Sequence, residues 1–139
     1  MLRDGGRQAV PVVAFSEALK KNLLAARRSG TIVRGIESAA EALSAEQRGL
    51  EMLKQRLPQG ERISRLLLMA EDGSANFYRK IDQLLERHAP RVLGCVMQTD
   101  SPGLGGLLFG PGSTARLILV SHKNDVCRVL QALISEAAK

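Results

Sequence analysis

The sequence predicts an α/β fold of three layers, an α-β-α sandwich, from two observations. Segments of helical period alternate along the chain with short apolar runs, 65–70, 92–97 and 115–120, that suit strands buried on both faces. The core is aliphatic: apolar residues make up 45% of the chain, aromatics only 3%, and tryptophan is absent. At 139 residues the chain has room for one domain with a substantial core but not for two ordinary ones. Residues 16–139 are therefore expected to form a single domain behind an N-terminal arm, 1–15.

Gly5, Gly6 and Pro11 interrupt any period in the arm, which leads into Ser16, a helix N-cap. The helix runs to about Arg28 and stops at Gly30, with Phe15, Leu19, Asn22, Leu23 and Ala26 on its apolar face. Thr31-Ile-Val-Arg34 is β-prone and ends at Gly35. A second helix is expected from about Glu37 to Leu43. Ser44-Ala-Glu-Gln47 has the form of a capping box, so a further helix should start there, continue through Leu57 and stop at Pro58-Gln-Gly60. The stretch near 44–62 thus reads as an inserted helical hairpin. Arg65–Ala70 is a buried strand, Glu71-Asp-Gly73 a turn, and Ser74 the cap of a helix to about His88 carrying Phe77, Ile81, Leu84 and Leu85. Val92–Met97 and Ala115–Val120 are the next strands. A short helix between glycine turns, 102–112, separates them, and an amphipathic helix from Asp125 to about Ala137 closes the chain.

Charge is concentrated at one end. Seven basic and two acidic residues fall in the first 35 positions, which gives them +5 of a net +6. Lys20, Lys21, Arg27 and Arg28 occupy an arc of roughly 120° on the first helix, and Arg34 continues the cluster onto the adjoining strand. No acids interrupt this arc, which points to a polyanionic partner, structured RNA. Fourteen of the twenty basic residues are Arg, whose planar fork matches phosphate oxygens and guanine edges. With so few aromatics, base stacking can contribute little.

Other motifs read as structural. The glycine-rich segment Gly103–Gly112 is not followed by the Gly-Lys-Ser/Thr of a triphosphate loop. Glu71 and Asp72 sit where α/β folds often place catalytic groups, yet an acid followed by Gly-Ser is ordinary turn chemistry. His88 fits a helix terminus, where a cation opposes the dipole, and neither it nor His122 has a sequence partner for catalysis. Cys95 and Cys127 lack metal or redox spacing and read as buried thiols of a reducing compartment. No enzymatic activity, cofactor or metal is expected. No apolar window reaches membrane-spanning length, so a soluble cytoplasmic protein is expected. An organellar matrix stays open because of the Met-Leu-Arg start, although Asp4 and the glycine pair oppose a targeting helix.

Four runs taken in order carry a family resemblance: Leu24-Ala-Ala-Arg-Arg-Ser-Gly-Thr-Ile-Val-Arg-Gly35, Leu66-Leu-Leu-Met-Ala-Glu-Asp-Gly-Ser74, Leu104-Gly-Gly-Leu-Leu-Phe-Gly110 and Leu117-Ile-Leu-Val120. Over about residues 19–135, leaving out 44–62, the chain resembles the L7Ae/L30e superfamily, most of all its bacterial YlxQ-type, ribosomal-protein-like members. The resemblance implies a small, mainly four-stranded mixed sheet and nonenzymatic binding of structured RNA, often a kink-turn, in ribosomal or ribosome-associated settings. It places the RNA surface at Arg34, Gly35, Ile36 and Glu37 and at the loop 100–106, including Gly103, Leu104 and Gly105. With Lys20, Lys21, Arg27 and Arg28 these are the candidate RNA-binding residues. The kink-turn binders carry Gly-x-Asn-Glu-x-x-Lys at the glycine turn, whereas this chain reads Gly35-Ile-Glu-Ser-Ala-Ala-Glu41. An amide that reads base edges is replaced by Glu37, and a lysine by Glu41. A protein-interaction or assembly module on the same fold, contacting a partner through the 44–62 helices, is the alternative.

Overall fold

In the computed structural model, which describes residues 2–3, 10–54, 64–89 and 91–137, Ser16 accepts a hydrogen bond from the Leu19 amide at 3.1 Å and starts helix α1, Glu17–Arg28. Its oxygen satisfies one of the amides that a first helical turn leaves without an acceptor. Two short strands precede this helix, β1 Leu2–Arg3 and β2 Val10–Val13. After it come β3 Ile32–Arg34, α2 Ile36–Lys54, β4 Arg65–Met69, α3 Ala75–Arg87 and β5 Val92–Met97. The chain then forms α4 Ser101–Phe109, β6 Leu117–Val120 and α5 Lys123–Ala137.

The sheet order is β1-β2-β5-β4-β6-β3. Strands β2, β5 and β4 are parallel, β6 runs antiparallel to β4, and β3 antiparallel to β6. The four-stranded expectation is corrected: five strands form the body, and the two residues of β1 add to its outer edge. The extra strand comes from the segment read as an arm. Val12 and Val13 pair with Val96 and Met97, and Pro11, which lacks a ladder donor, is tolerated near the sheet edge.

Strand alternation makes the layers. Leu66, Leu68, Cys95, Met97, Ile118 and Val120 face one side, where Leu19, Leu23, Leu104, Leu108, Val126 and Val129 of α1, α4 and α5 cover them. Leu67, Met69, Val92, Val96, Leu117 and Leu119 face the other, against Ala39 and Leu43 of α2 and Tyr78, Ile81, Leu84 and Leu85 of α3. This is the α-β-α sandwich the sequence predicts, and each fully buried leucine contributes about 1.5–3 kcal/mol to it. Of the two cysteines, Cys95 is buried as expected, whereas Cys127 is exposed.

The break expected between Leu43 and Ser44 is absent, because α2 is continuous from Ile36 to Lys54. A capping box stops nothing by itself. It marks a start only where the chain arrives in a non-helical conformation, and no Gly or Pro lies between Ile36 and Arg48 to provide one. Glu46 instead holds the helix to the sheet, its carboxylate accepting from Arg65 Nε at 2.6 Å. The expected stop at Pro58-Gln-Gly60 lies outside the described residues. Among the described residues no helix is long and apolar enough to cross a membrane.

Candidate nucleic-acid interface

The site is built at the end of the sheet where β3, β4 and β5 finish and β6 begins. Gly35 leaves β3 at φ +90°, a conformation that side-chain-bearing residues rarely adopt. Its amide donates to the Leu117 carbonyl at 2.9 Å, and its own carbonyl accepts from Ala39 N at 3.0 Å, which starts α2 at once. Having no side chain, Gly35 cannot cap the amides of the first turn. That turn opens on a cleft of about 580 Å³. Arg34, Gly35 and Ile36 form one wall, Asp72, Phe77, Ser101 and Pro102 another, and Thr114–Leu117 the rest.

The two helix N-termini at this cleft are electrostatically unlike. At α4, Asp100 Oδ1 accepts from Gly103 N at 2.8 Å, and Asp72 accepts from both the amide and the hydroxyl of Ser101, at 3.0 and 2.7 Å. Desolvation works to raise the Asp72 pKa, but the Ser101 hydrogen bonds and the Arg116 charge outweigh it and hold the carboxyl below its ordinary value. The positive end of α4 is thus already answered by two carboxylates. Arg34 and Arg116 line the same cleft with exposed side chains, and Gly35 gives the start of α2 no side-chain cap. Glu37 sits in the first turn of α2 and sets a negative charge near its amides, although its side chain lines the neighbouring groove and not this cleft.

Alternation along β3 puts Arg34 on the same face as Ile32, toward α4, where its guanidinium carbon lies 4.5 Å from the centre of the Phe109 ring. Its Nη2 donates to the Thr114 carbonyl at 2.5 Å. Arg27, from the last turn of α1, reaches the same ring at 5.2 Å. Arg27 and Arg34 are thereby brought together, with Arg28 exposed next to them. Lys20 lies two turns, about 10 Å, back along the ridge of Arg27. It pairs with Glu17 at 3.2 Å, so the arc expected to be free of acids contains one, and it sits over Phe15 at 5.2 Å, while Lys21 is exposed.

The remaining candidates divide. Gly103 is exposed at the start of α4, but Leu104 is fully buried and Gly105 is buried too. A Cβ on Gly105 would lie 2.4 Å from Thr114 Cα and 2.5 Å from the Ser113 carbonyl oxygen. The close approach that Gly105 permits is that of the chain's own 113–114 turn, so neither Leu104 nor Gly105 is open to a partner. Glu37 lines a second groove, about 210 Å³, between α2 and α3 with Lys80, Gln83 and Arg87. Glu41 lines a third hollow beside Ala45 and Arg48, so the cleft walls include neither acid.

Sequence reasoning missed Phe109, Thr114 and Arg116. Phe109 ends an apolar run, and Arg116 sat inside what read as a strand. Only the fold shows that Phe109 and Thr114 touch Arg34 and that Arg116 lines the same cleft. His88 is also corrected: it does cap α3, but it is 3% exposed with neither ring nitrogen partnered among the described residues. Burial, and next the Arg91 and Arg87 charges, push its pKa down against the pull of Glu46, which disfavours the cation expected there.

No protein-family model matches the sequence, and neither does any curated protein. Solved structures do share the fold. A protein of unknown function from Bacillus halodurans is 16% identical with a TM-score of 0.59, over 85% of this chain and 97% of that one. The 15.5kD RNA binding protein of Giardia lamblia is 19% identical with a TM-score of 0.51, over 88% of this chain and 91% of that one.

Proposed function

We propose that this chain is a nonenzymatic, cytoplasmic RNA-binding protein of the L7Ae/L30e type, taking structured RNA, ribosomal or kink-turn-like, on its basic helix-turn surface. The observation that carries this reading is the convergence of Arg27 and Arg34 on the Phe109 ring, with Arg34 and Arg116 lining the cleft at the start of α2. The Giardia protein of the same fold, described as RNA binding, supports it. Arg27, Arg28 and Arg34 neutralise phosphates, Lys20 and Lys21 extend the track, and the amides following Gly35 receive a phosphate oxygen in the cleft. With Glu37 in place of a base-reading amide, recognition rests on backbone and shape more than on base edges. Asp72 is committed to Ser101 and kept ionised, which suits it to holding α4 and not to proton transfer.

Filter binding of end-labelled total RNA tests the reading. The wild type should lose affinity with salt along a log-log slope of roughly −0.7 to −0.9 per phosphate neutralised. Arg27→Glu/Arg28→Glu should weaken binding and flatten that slope by about two such increments. Binding unchanged in both respects would refute the assignment of this face.

A second reading, an assembly module on the same fold, draws on the groove between α2 and α3, which Glu37, Lys80 and Arg87 line together. A salt-insensitive complex with a protein, and no RNA recovered after crosslinking, would favour it.

A further inference from the structure

Resting on the RNA-binding reading, we infer that Phe109 is a positioning residue of the interface: its ring orders the guanidinium groups of Arg27 and Arg34 for phosphate contact. Both guanidinium carbons lie within the roughly 6 Å at which a cation is attracted to an aromatic face, at 5.2 and 4.5 Å from the same centroid. They are therefore within about 10 Å of each other, although both are exposed and both are cations that repel. The ring resolves this conflict, since its negative faces attract both guanidinium groups at once.

Phe109 is well placed to serve as a fixed point. It ends α4, packs half-buried against the apolar layer of α1, α4 and α5, and follows the buried Leu108. Arg34 is further tied by its bond to the Thr114 carbonyl, so it is held on two sides before any ligand arrives. A long side chain that is already ordered loses less rotamer freedom on binding. The chain has three phenylalanines, and Phe109 is the one in contact with the basic pair; Phe15 carries Lys20 and Phe77 packs on Tyr78.

Phe109→Leu keeps an apolar side chain and removes the π face, whereas Phe109→Tyr keeps the face. With end-labelled total ribosomal RNA, Phe109→Leu should bind about five- to tenfold more weakly, with a salt slope flatter by about one phosphate increment. Phe109→Tyr should restore both. In the Arg27→Gln/Arg34→Gln background, Phe109→Leu should have no further effect. A merely structural residue would lower the melting temperature and leave the slope alone. An RNA-free measurement separates this inference from the reading beneath it. By NMR, the Arg27 and Arg34 Nε–H groups should be motionally restricted in the wild type and mobile in Phe109→Leu. Restricted arginines in a protein that binds no RNA would sink the RNA reading alone. Arginines equally mobile in both proteins, or a Phe109→Leu effect that persists without the two arginines, would overturn the positioning role.

Discussion

Two neighbouring glycines in α4 should respond to alanine with opposite signs. At Gly105 the added Cβ would meet Thr114 Cα at 2.4 Å, the Ser113 carbonyl oxygen at 2.5 Å and the Ser113 carbonyl carbon at 2.6 Å. Comfortable carbon contacts lie near 3.5–4.0 Å, so the 113–114 turn must retreat by about 1 Å. All three obstacles are backbone, which cannot swing aside as a side-chain tip does. Overpacking of this kind costs about 3 kcal/mol, offset by about 1 kcal/mol from replacing a helical glycine. The net loss of about 2 kcal/mol should lower the melting temperature by roughly 6 °C in a protein of this size. At Gly106 nothing lies within 4 Å of the added atom, so only the helix gain remains, about 0.5–1 kcal/mol, or a rise of roughly 2–3 °C. Thermal unfolding followed by circular dichroism reads both. The turn that Gly105 admits also carries the carbonyl bonded to Arg34, so Gly105→Ala should weaken RNA binding and Gly106→Ala should not. A Gly105→Ala protein melting at or above the wild type would refute the argument.

Two further outcomes follow from the core. His88 has a pKa pushed below 6.5 in the folded protein, so the unfolded chain takes up its proton first as pH falls. Stability from this group is complete above pH 6.5 and declines below it, by up to about 1.4 kcal/mol per pH unit until the folded pKa is reached. Urea unfolding at pH 7.5 and 5.5 should show a smaller loss in His88→Leu than in the wild type, and equal losses would remove His88 as the cause. The Tyr78 hydroxyl donates to the Ala70 carbonyl at 2.6 Å and accepts from Gly73 N at 3.1 Å, bracing the turn that carries Asp72. Tyr78→Phe should cost about 1–2 kcal/mol in urea unfolding, and an unchanged midpoint would show the bracing to be idle.

What the sequence made legible depended on whether a signal was local. Leu66–Met69, Val92–Met97 and Leu117–Val120 announce themselves because strands covered on both faces are apolar at every position. Val10–Val13 did not, since its identity as a strand rests on pairing with residues more than 80 positions away and Pro11 argues against it. The continuity of α2 was hidden by a capping-box pattern whose meaning depends on how the chain enters it. In the site, the density of arginines was readable on one helix and one strand. The ring and the turn that aim them were not, because Phe109 and Thr114 reach Arg34 only through the packing of α4 and the crossing from α4 to β6.

The bond between Arg34 and Thr114 spans 80 residues, and this separates charge from shape in time. A ribosome extending the chain at about 5–20 residues per second delivers the basic helix roughly 4–16 s before the residues that orient it. Through that interval the nascent segment has the electrostatics of a polyanion binder without the geometry. The shape of this surface is therefore complete only when the last third of the chain has folded, through contacts that each span 80 residues or more.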